Sequence, residues 1–319
     1  MVPIFVPAVT VNKLAEVRTA RDSPIATRSQ LVTRVFFRFI RSRIATLDLH
    51  MPFPIYQIDA FTSEPFRGNP AAVVVMDEDR PTTWMQQVAA ENNLSETAFV
   101  RHQNDNRYAL RWFTPGLEVD LCGHATVATA HVLWTETGVT AEQIVFESRS
   151  GDLPVSRVDD RIQLDFPATP PEACEVPTGL VESFQFNGET VAAQFVGRSR
   201  FDYFVVLDRE SQIRELDVDF RRLLECECRG VIVTAVADAE ADYDFVSRFF
   251  GPAAGVDEDP VTGSAHCCLA VYWAGQIGRT DLRGYQASAR GGMVTMELNG
   301  DRVLLQGNAV TVLRGELLV

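Results

Sequence analysis

Short runs of apolar residues, with polar residues at alternating positions, dominate the chain from residue 51 onward. Most of these runs contain β-branched or aromatic side chains and end at Gly, Pro, Asn or Asp, which predicts β-strands. The first group of predicted strands covers 54–61, 71–76, 96–102, 107–113, 144–148, 153–158 and 161–166. The second group covers 191–197, 202–207, 230–236, 243–250, 282–289, 293–298 and 302–306. The pattern is typical of a strand-rich α+β protein.

Three segments have a helical pattern instead. The segment "TTWMQQVAAEN" predicts a helix over 82–92, with Thr82 or Thr83 as its N-cap. The segments "CGHATVATAHVLW" (122–134) and "TGSAHCCLAVYWA" (262–274) are small or apolar on nearly every face. Helices of that composition are expected to be buried all round.

The two buried helices align with each other at an offset of 140 residues. The identical pairs are Gly123 with Gly263, Ala125 with Ala265, and Ala130 with Ala270. Each segment follows a loop that contains proline and acidic residues. We therefore expect two pseudo-symmetric domains, each a β-sheet or barrel wrapped around a central buried helix. The proline-rich "FPATPPEACEVP" separates 51–170, completed by about 308–319, from 171–307.

The duplicated helices have a chemical consequence. The first turn of a helix presents unpaired N–H groups and about half a positive charge. If both helices begin at one cleft, the backbone at Gly123 and Gly263 suits a small anionic substrate, because glycine allows a ligand to approach closely.

The first fifty residues differ from the rest. "TRVFFRFIRSRIATL" is amphipathic, rich in arginine and poor in acids, as in an organelle transit peptide. An upstream extension without function, with Met51 as the working start, is an equal alternative. We expect a cytoplasmic protein, or a mitochondrial one if residues 1–50 are a transit peptide.

Charge and composition exclude several classes of protein. The net charge is −14, and residues 1–50 carry eight basic against three acidic residues, which leaves −19 for residues 51–319. So acidic a body disfavours nucleic-acid or membrane-surface binding. Lys13 is the only lysine among 29 basic residues, and no P-loop or G-x-G-x-x-G motif occurs, so we expect no cofactor. The six cysteines lack C-x-x-C spacing, which predicts buried thiols in a reducing compartment rather than a metal site.

Several motifs together identify a family. "DAFTSEPFRGNPAAVV", "NLSETAFV", "RWFTPGLEVDLCGHAT", "EDPVTGSAH" and "RGG" occur in this order, and the chain over 54–315 resembles the phenazine-biosynthesis-like isomerase family. The resemblance implies a diaminopimelate-epimerase-like fold, a cofactor-free active site between two domains, and frequently a homodimer. The best-known activity of the family moves a proton between ring carbons of trans-2,3-dihydro-3-hydroxyanthranilate.

The resemblance also implies catalytic roles for three residues. Glu96 is expected to be the general base and acid that lifts a proton from carbon and returns it elsewhere, since a carboxylate in an apolar pocket has a raised pKa. His124 is expected to bind the substrate or shuttle a proton, with its pKa lowered by the helix dipole. Asp259 is expected to hydrogen-bond the substrate or orient the transfer.

Substrate-binding roles are expected for Gly123, Gly263, Ser264 and Asn69, although Asn69 also belongs to a turn signal. Thr262 is interpreted mainly as a helix N-cap.

Other residues of these motifs have less specific interpretations. Asp257 and Glu258 are interpreted as solvated or turn-forming residues. Arg290 either pairs with an anion or is an ordinary hairpin arginine. Met293 stands where the family often has an acid after "RGG".

Two other functions remain open. A two-thiol epimerase needs a cysteine on each side of the reacting carbon, but Cys122 is matched by Thr262, so this function is disfavoured. A non-catalytic binding or regulatory protein is the second alternative. The combination of a glutamate, a histidine and an aspartate favours the isomerase.

Overall fold

The structure is a computed structural model that describes residues 52–319. Residues 1–50, with their two alternatives of a transit peptide or an extension without function, lie outside the described residues. In the described part of the chain, no helix combines the length and the apolar character needed to cross a membrane.

The strands follow the predicted order along the chain. Their bounds are β1 Phe53–Ala60, β2 Asn69–Met76, β3 Glu96–Asn104, β4 Arg107–Phe113, β5 Glu118–Val119, β6 Gln143–Ser148, β7 Gly151–Val158, β8 Arg161–Pro167, β9 Glu172–Ala173, β10 Phe184–Phe186, β11 Glu189–Thr190, β12 Phe195–Arg198, β13 Asp202–Val206, β14 Asp217–Val218, β15 Gly230–Val236, β16 Phe245–Gly251, β17 Val256–Asp259, β18 Asp281–Gln286, β19 Gly292–Asn299, β20 Arg302–Gly307 and β21 Ala309–Leu317.

The helices are α1 Thr82–Asn92, α2 Gly123–Thr135, α3 Glu210–Arg214, α4 Phe220–Leu223 and α5 Gly263–Ile277. The predicted cap of α1 is wrong, because Pro81 occupies the N-cap position and makes no side-chain cap hydrogen bond. Proline suits a helix start because its φ is fixed near the helical value and it has no N–H to satisfy.

Two halves of one sheet have the same strand order. The first half runs β21-β1-β2-β3-β4-β6-β7-β8, and the second runs β9-β12-β13-β15-β16-β18-β19-β20. Strand pairs at equivalent positions in the two halves also have the same relative direction. β2–β3 and β4–β6 are parallel in the first half, and β13–β15 and β16–β18 are parallel in the second. An antiparallel pairing of β8 with β20 joins the halves, from Arg302↔Pro167 to Gly307↔Ile162. β10, β11 and β14 form a separate small sheet.

Each half surrounds one central helix. α2 packs against β1, β2, β3, β8 and β21, while α5 packs against β18, β19 and β20. Their small and apolar side chains are buried, as in Val127, Ala128 and Leu269, each with no exposed surface. The predicted fold class, α+β with two similar sheets around central helices, is confirmed. The domain boundary near residue 170 stays a prediction, since the sheet is continuous through β8 and β20.

Candidate active site

The two central helices begin beside each other. A Cβ built on Gly123 would lie 3.6 Å from the Cα of Gly263, and a Cβ on Gly263 would lie 3.6 Å from the Cα of Gly123. The unpaired N–H groups of two first helical turns therefore lie in one region, where they favour a negative charge. This is the arrangement that the sequence repeat predicts.

Glu96 lies next to this region at the first residue of β3. Strand pairing fixes its backbone, since Glu96 is in parallel register with Ala71 of β2. Its Oε2 atom lies 3.0 Å from Nε2 of His124, the second residue of α2, and only 17% of its side chain is exposed. Among the described residues, no donor is aligned for a hydrogen bond to this buried oxygen. A carboxylate oxygen that accepts no aligned hydrogen bond can accept a proton from a ligand.

Asn69 joins the two halves of the cluster. Its Nδ2 donates to Oδ1 of Asp259 at 2.8 Å and to the carbonyl oxygen of Val261 at 2.9 Å. The same nitrogen lies 3.2 Å from Nδ1 of His124. The two oxygen acceptors take both N–H groups of the amide and fix its orientation. Oδ1 of Asn69 is buried and has no hydrogen-bond partner among the described residues.

The turn before Asn69 needs a glycine. Gly68 has φ +63°, and a Cβ there would lie 2.1 Å from the carbonyl oxygen of Ala60. Arg290 braces the same turn from the second half, because its guanidinium donates to the carbonyl oxygens of Gly68 and Arg67, both at 2.8 Å. It also pairs with the buried Asp59 at 2.7 Å. Of the two interpretations of Arg290, pairing with an anion is the one that the structure supports, and the anion is the carboxylate of Asp59.

Asp259 is held from the side of the second helix. Oγ1 of Thr262 donates to Oδ2 of Asp259 at 2.5 Å, and Thr262 makes no side-chain cap hydrogen bond. The N-cap interpretation of Thr262 is therefore wrong in its chemistry: the residue occupies the N-cap position, but its hydroxyl serves the aspartate.

Gln286 completes this arrangement, and no sequence motif singled it out. Its Oε1 accepts from the backbone N–H of Thr262 at 2.8 Å. Its Nε2 donates to the carbonyl oxygen of Asp259 at 2.7 Å and lies 3.2 Å from Oγ1 of Thr262. Gln286 has no exposed surface. The one signal in the sequence is a glutamine within the predicted strand 282–289. In the structure, Gln286 is the last residue of β18, which pairs in parallel with β16.

The ionisation of the cluster follows from its burial and its charges. Burial would lower the pKa of His124, but the Cys122 sulfur and the Glu96 carboxylate outweigh it and hold the pKa well above the usual 6.5. The predicted lowering by the helix dipole is therefore wrong. Burial raises the pKa of Asp259, against the opposing effects of His124 and Thr262. His124 consequently keeps a proton on Nε2, facing Glu96.

Cys122 also touches the cluster, with its Sγ 3.5 Å from Nδ1 of His124. Burial, and then the charge of Glu96, raise the pKa of this thiol. Ligand atoms of Glu96, Cys122 and His124 all lie within 4.8 Å of one another, a set that also suits a metal ion. However, Asn69 lies at Nδ1 of the histidine, and Glu96 lies at hydrogen-bond distance from Nε2. Both imidazole nitrogens therefore already have a neighbouring side chain at the positions where a metal ion would bind.

Two further predicted residues have partners that the sequence did not indicate. Glu258 forms a two-point ion pair with Arg248, at 2.7 and 2.8 Å, so its interpretation as a solvated residue is wrong. Ser264, at the second position of α5, accepts a hydrogen bond from Arg229 at 3.0 Å.

A cavity of about 820 Å³ lies apart from these side chains. Its lining includes Arg67, Arg290 and Met293, and its carboxylates, Glu64, Asp160 and Asp242, are exposed. Because Glu96, His124 and Asp259 do not line it, we place the candidate active site at the buried cluster instead.

Comparison with solved structures gives the class of protein first. A probable proline racemase from Agrobacterium radiobacter superposes with a TM-score of 0.57 at 10% identity, over 84% of this chain and 93% of that chain. A phenazine biosynthesis protein from Enterococcus faecalis superposes with a TM-score of 0.79 at 42% identity, over 84% of this chain and all of that chain. The fold is therefore that of the phenazine biosynthesis protein, and the racemase shares it.

Sequence comparison then gives the family. Residues 58–315 match the family model described as phenazine biosynthesis-like protein. An uncharacterized isomerase of Halalkalibacterium halodurans is 50% identical over 271 residues, which cover 84% of this chain and all of the relative. The chain belongs to the phenazine biosynthesis-like protein family and is an isomerase-type member, which confirms the predicted resemblance.

Proposed function

We propose that the protein is a cofactor-independent isomerase that moves a proton between carbons of a small carboxylated substrate, with Glu96 as the general base and acid. The observation that carries the proposal is the buried Oε2 of Glu96, which has no hydrogen-bond partner among the described residues and lies 3.0 Å from Nε2 of His124. This oxygen is a proton acceptor held close to two helix starts that favour an anion.

The reaction needs two proton transfers. In the first, the Glu96 carboxylate takes a proton from a substrate carbon, and the electron pair of the broken C–H bond passes into the conjugated system of the substrate. In the second, the same carboxylic acid returns the proton to another carbon, so that no atoms or electrons are gained or lost. The amides at the starts of α2 and α5 stabilise the substrate carboxylate and the charge that develops during the reaction.

The other residues of the cluster orient the base. The protonated His124 lies 3.0 Å from Glu96 as an ion-pair partner, and its charge stabilises the ionised carboxylate before the first transfer. Asn69 links the histidine to Asp259, so a change in one side chain alters the position of the others. The expected homodimer remains a prediction, which sedimentation equilibrium of the full chain would test.

Two-thiol epimerisation has less support. Cys122 has a raised thiol pKa, and the matching Thr262 hydroxyl is already donated to Asp259. A thiolate and a second acid on the opposite face are what that mechanism needs.

Deuterium exchange tests the proposal directly. Cyclic and amino-acid carboxylates are incubated with the enzyme in D₂O, and incorporation at carbon is followed by NMR. We expect exchange with wild type and its loss in Glu96→Gln, which keeps the shape of the side chain but removes the base. Glu91→Gln is the matched control, because Glu91 is an exposed residue of α1. Exchange that survives in Glu96→Gln contradicts the role of Glu96, and no exchange with any candidate supports the non-catalytic binding protein.

A further inference from the structure

The guanidinium of Arg229 is fixed in direction before any ligand arrives. Its Nε and one Nη donate to the two carboxylate oxygens of Asp202, at 2.8 and 2.5 Å. Asp202 is buried, with 2% of its surface exposed. The rings of Phe201 and Phe249 lie 5.0 and 5.7 Å from the guanidinium carbon. A planar cation held by a two-point ion pair and two aromatic rings loses little entropy when it binds a second partner.

The second edge of this guanidinium lies at the start of α5. The Nη atom that binds Asp202 also donates to Oγ of Ser264 at 3.0 Å, at the second position of α5. The other Nη atom makes no hydrogen bond within residues 52–319, and 42% of the Arg229 side chain is exposed. Asp202 therefore occupies one fork of the guanidinium. In the other fork, next to the start of the helix, one Nη donates to Ser264 and the second Nη is free among the described residues.

We propose that Arg229 is a specificity residue that binds the carboxylate of the substrate through this second fork. One carboxylate oxygen binds the free Nη, the other displaces Oγ of Ser264 from its Nη, and the released Ser264 hydroxyl and the first amides of α5 donate to the same carboxylate. The proposal rests on the proposed function and specifies its substrate class as one with a planar, singly charged carboxylate. Arginine suits this group because two parallel N–H donors match two carboxylate oxygens.

A purely structural role is the alternative. In that case Arg229 neutralises Asp202 and holds Ser264, but it does not touch a ligand. The two roles differ in charge selectivity, because a structural arginine affects charged and neutral ligands alike, whereas a ligand-binding arginine affects only the charged one.

The test compares benzoate with benzamide, which have nearly the same shape but differ in charge. Dissociation constants are measured by calorimetry at fixed ionic strength, and the imidazole NMR signal of His124 reports whether the ligand occupies the site. We expect wild type to prefer benzoate by about tenfold or more, the size expected for a charge-assisted hydrogen bond. The preference should disappear in Arg229→Gln and be intermediate in Arg229→Lys, because lysine keeps the charge but lacks the fork.

Two further variants separate the effects. Asp202→Asn combined with Arg229→Gln avoids leaving a buried carboxylate unpaired, so it reports on binding if the single variant unfolds. Arg101→Gln is the matched control, because Arg101 forms a similar two-point pair with Asp79, at 2.8 and 3.3 Å, away from the helix starts. We expect Arg101→Gln to keep the full preference for benzoate.

The outcomes are distinct from those of the exchange experiment. The proposal for Arg229 is wrong if wild type shows no preference for benzoate, if Arg229→Gln retains it, or if Arg101→Gln loses it equally. Carbon exchange that depends on Glu96, combined with an unchanged preference in Arg229→Gln, would leave the isomerase intact and assign the carboxylate to the helix amides alone.

Discussion

His266 should make the folded protein sensitive to acid. It has no exposed surface, and its Nδ1 donates to the carbonyl oxygen of Thr262 at 2.8 Å. Its Nε2 has no hydrogen-bond partner among the described residues, and the ring lies against Phe245. A second proton on this ring would place a charge in an apolar environment with no acceptor. Burial therefore lowers the pKa of His266 from 6.5 to about 4.

The magnitude follows from the two pKa values. In the unfolded chain the histidine takes up a proton near pH 6.5, while in the folded protein it stays neutral down to about pH 4. Its contribution to the free energy of unfolding is fully present above pH 6.5 and is lost as the pH falls from 6.5 towards 4. The complete loss is about 3 kcal/mol, and the loss at pH 4.5 is about 2.5 kcal/mol.

Urea unfolding at pH 7.5 and pH 4.5 measures this contribution in wild type and in His266→Gln. Other groups, such as Asp59 and Asp202, also titrate in acid, so the informative quantity is the difference between the two proteins. The variant keeps an amide donor for Thr262 and loses the titrating ring. We expect wild type to lose about 2.5 kcal/mol more than the variant between the two pH values.

The exposed His102 provides the control, since His102→Gln should leave the pH dependence of wild type unchanged. An equal loss of stability in wild type and His266→Gln would refute the assignment of the acid sensitivity to His266.

Two other substitutions test the site. Gln286→Leu should lower the carbon exchange rate by roughly ten- to a hundredfold and shift its pH profile, because Asp259 and Thr262 lose the hydrogen bonds of the amide. Gln286→Asn should not restore activity, since the shorter amide cannot reach both partners. Gly263→Ala should fold normally, because its Cβ would make ordinary contacts at 3.6 and 3.8 Å, while the added methyl group beside Gly123 weakens benzoate binding. Thermal unfolding and calorimetry measure the two effects, and a Gly263→Ala variant that binds benzoate as wild type does would contradict the ligand position at the helix starts.

The sequence predicted the elements that carry strong local patterns. Helix α1 begins and ends where predicted, and strand β4 coincides with the predicted 107–113. The central helices were found because burial on all faces leaves a composition that solvent-exposed helices do not have. Strand β21 was missed, because its exposed and apolar residues do not alternate regularly along an edge strand.

The candidate site was predicted in part. Asn69, Glu96, His124 and Asp259 lie in motifs, and the structure brings them together. Arg229 and Gln286 were not found, because each acts through a partner distant in sequence.

Two chemical interpretations also failed for a physical reason. The hydroxyl of Thr262 was assigned to its own helix, but Asp259 competes for it at 2.5 Å. The helix dipole predicts a lowered pKa for His124, whereas Cys122, and Glu96 from another segment, raise it. Both depend on contacts between segments, which local patterns do not contain.

The pairing of β1 with β21 constrains how the chain is assembled. β1 hydrogen-bonds along its length to a strand that begins at Ala309, from Phe53↔Leu317 to Ala60↔Ala309. During synthesis, β1 therefore keeps an unpaired edge until nearly all of the second half has left the ribosome. Contacts so far apart in sequence are slow to form, so a nascent chain stalled before β21 presents β1 to chaperones or to neighbouring chains.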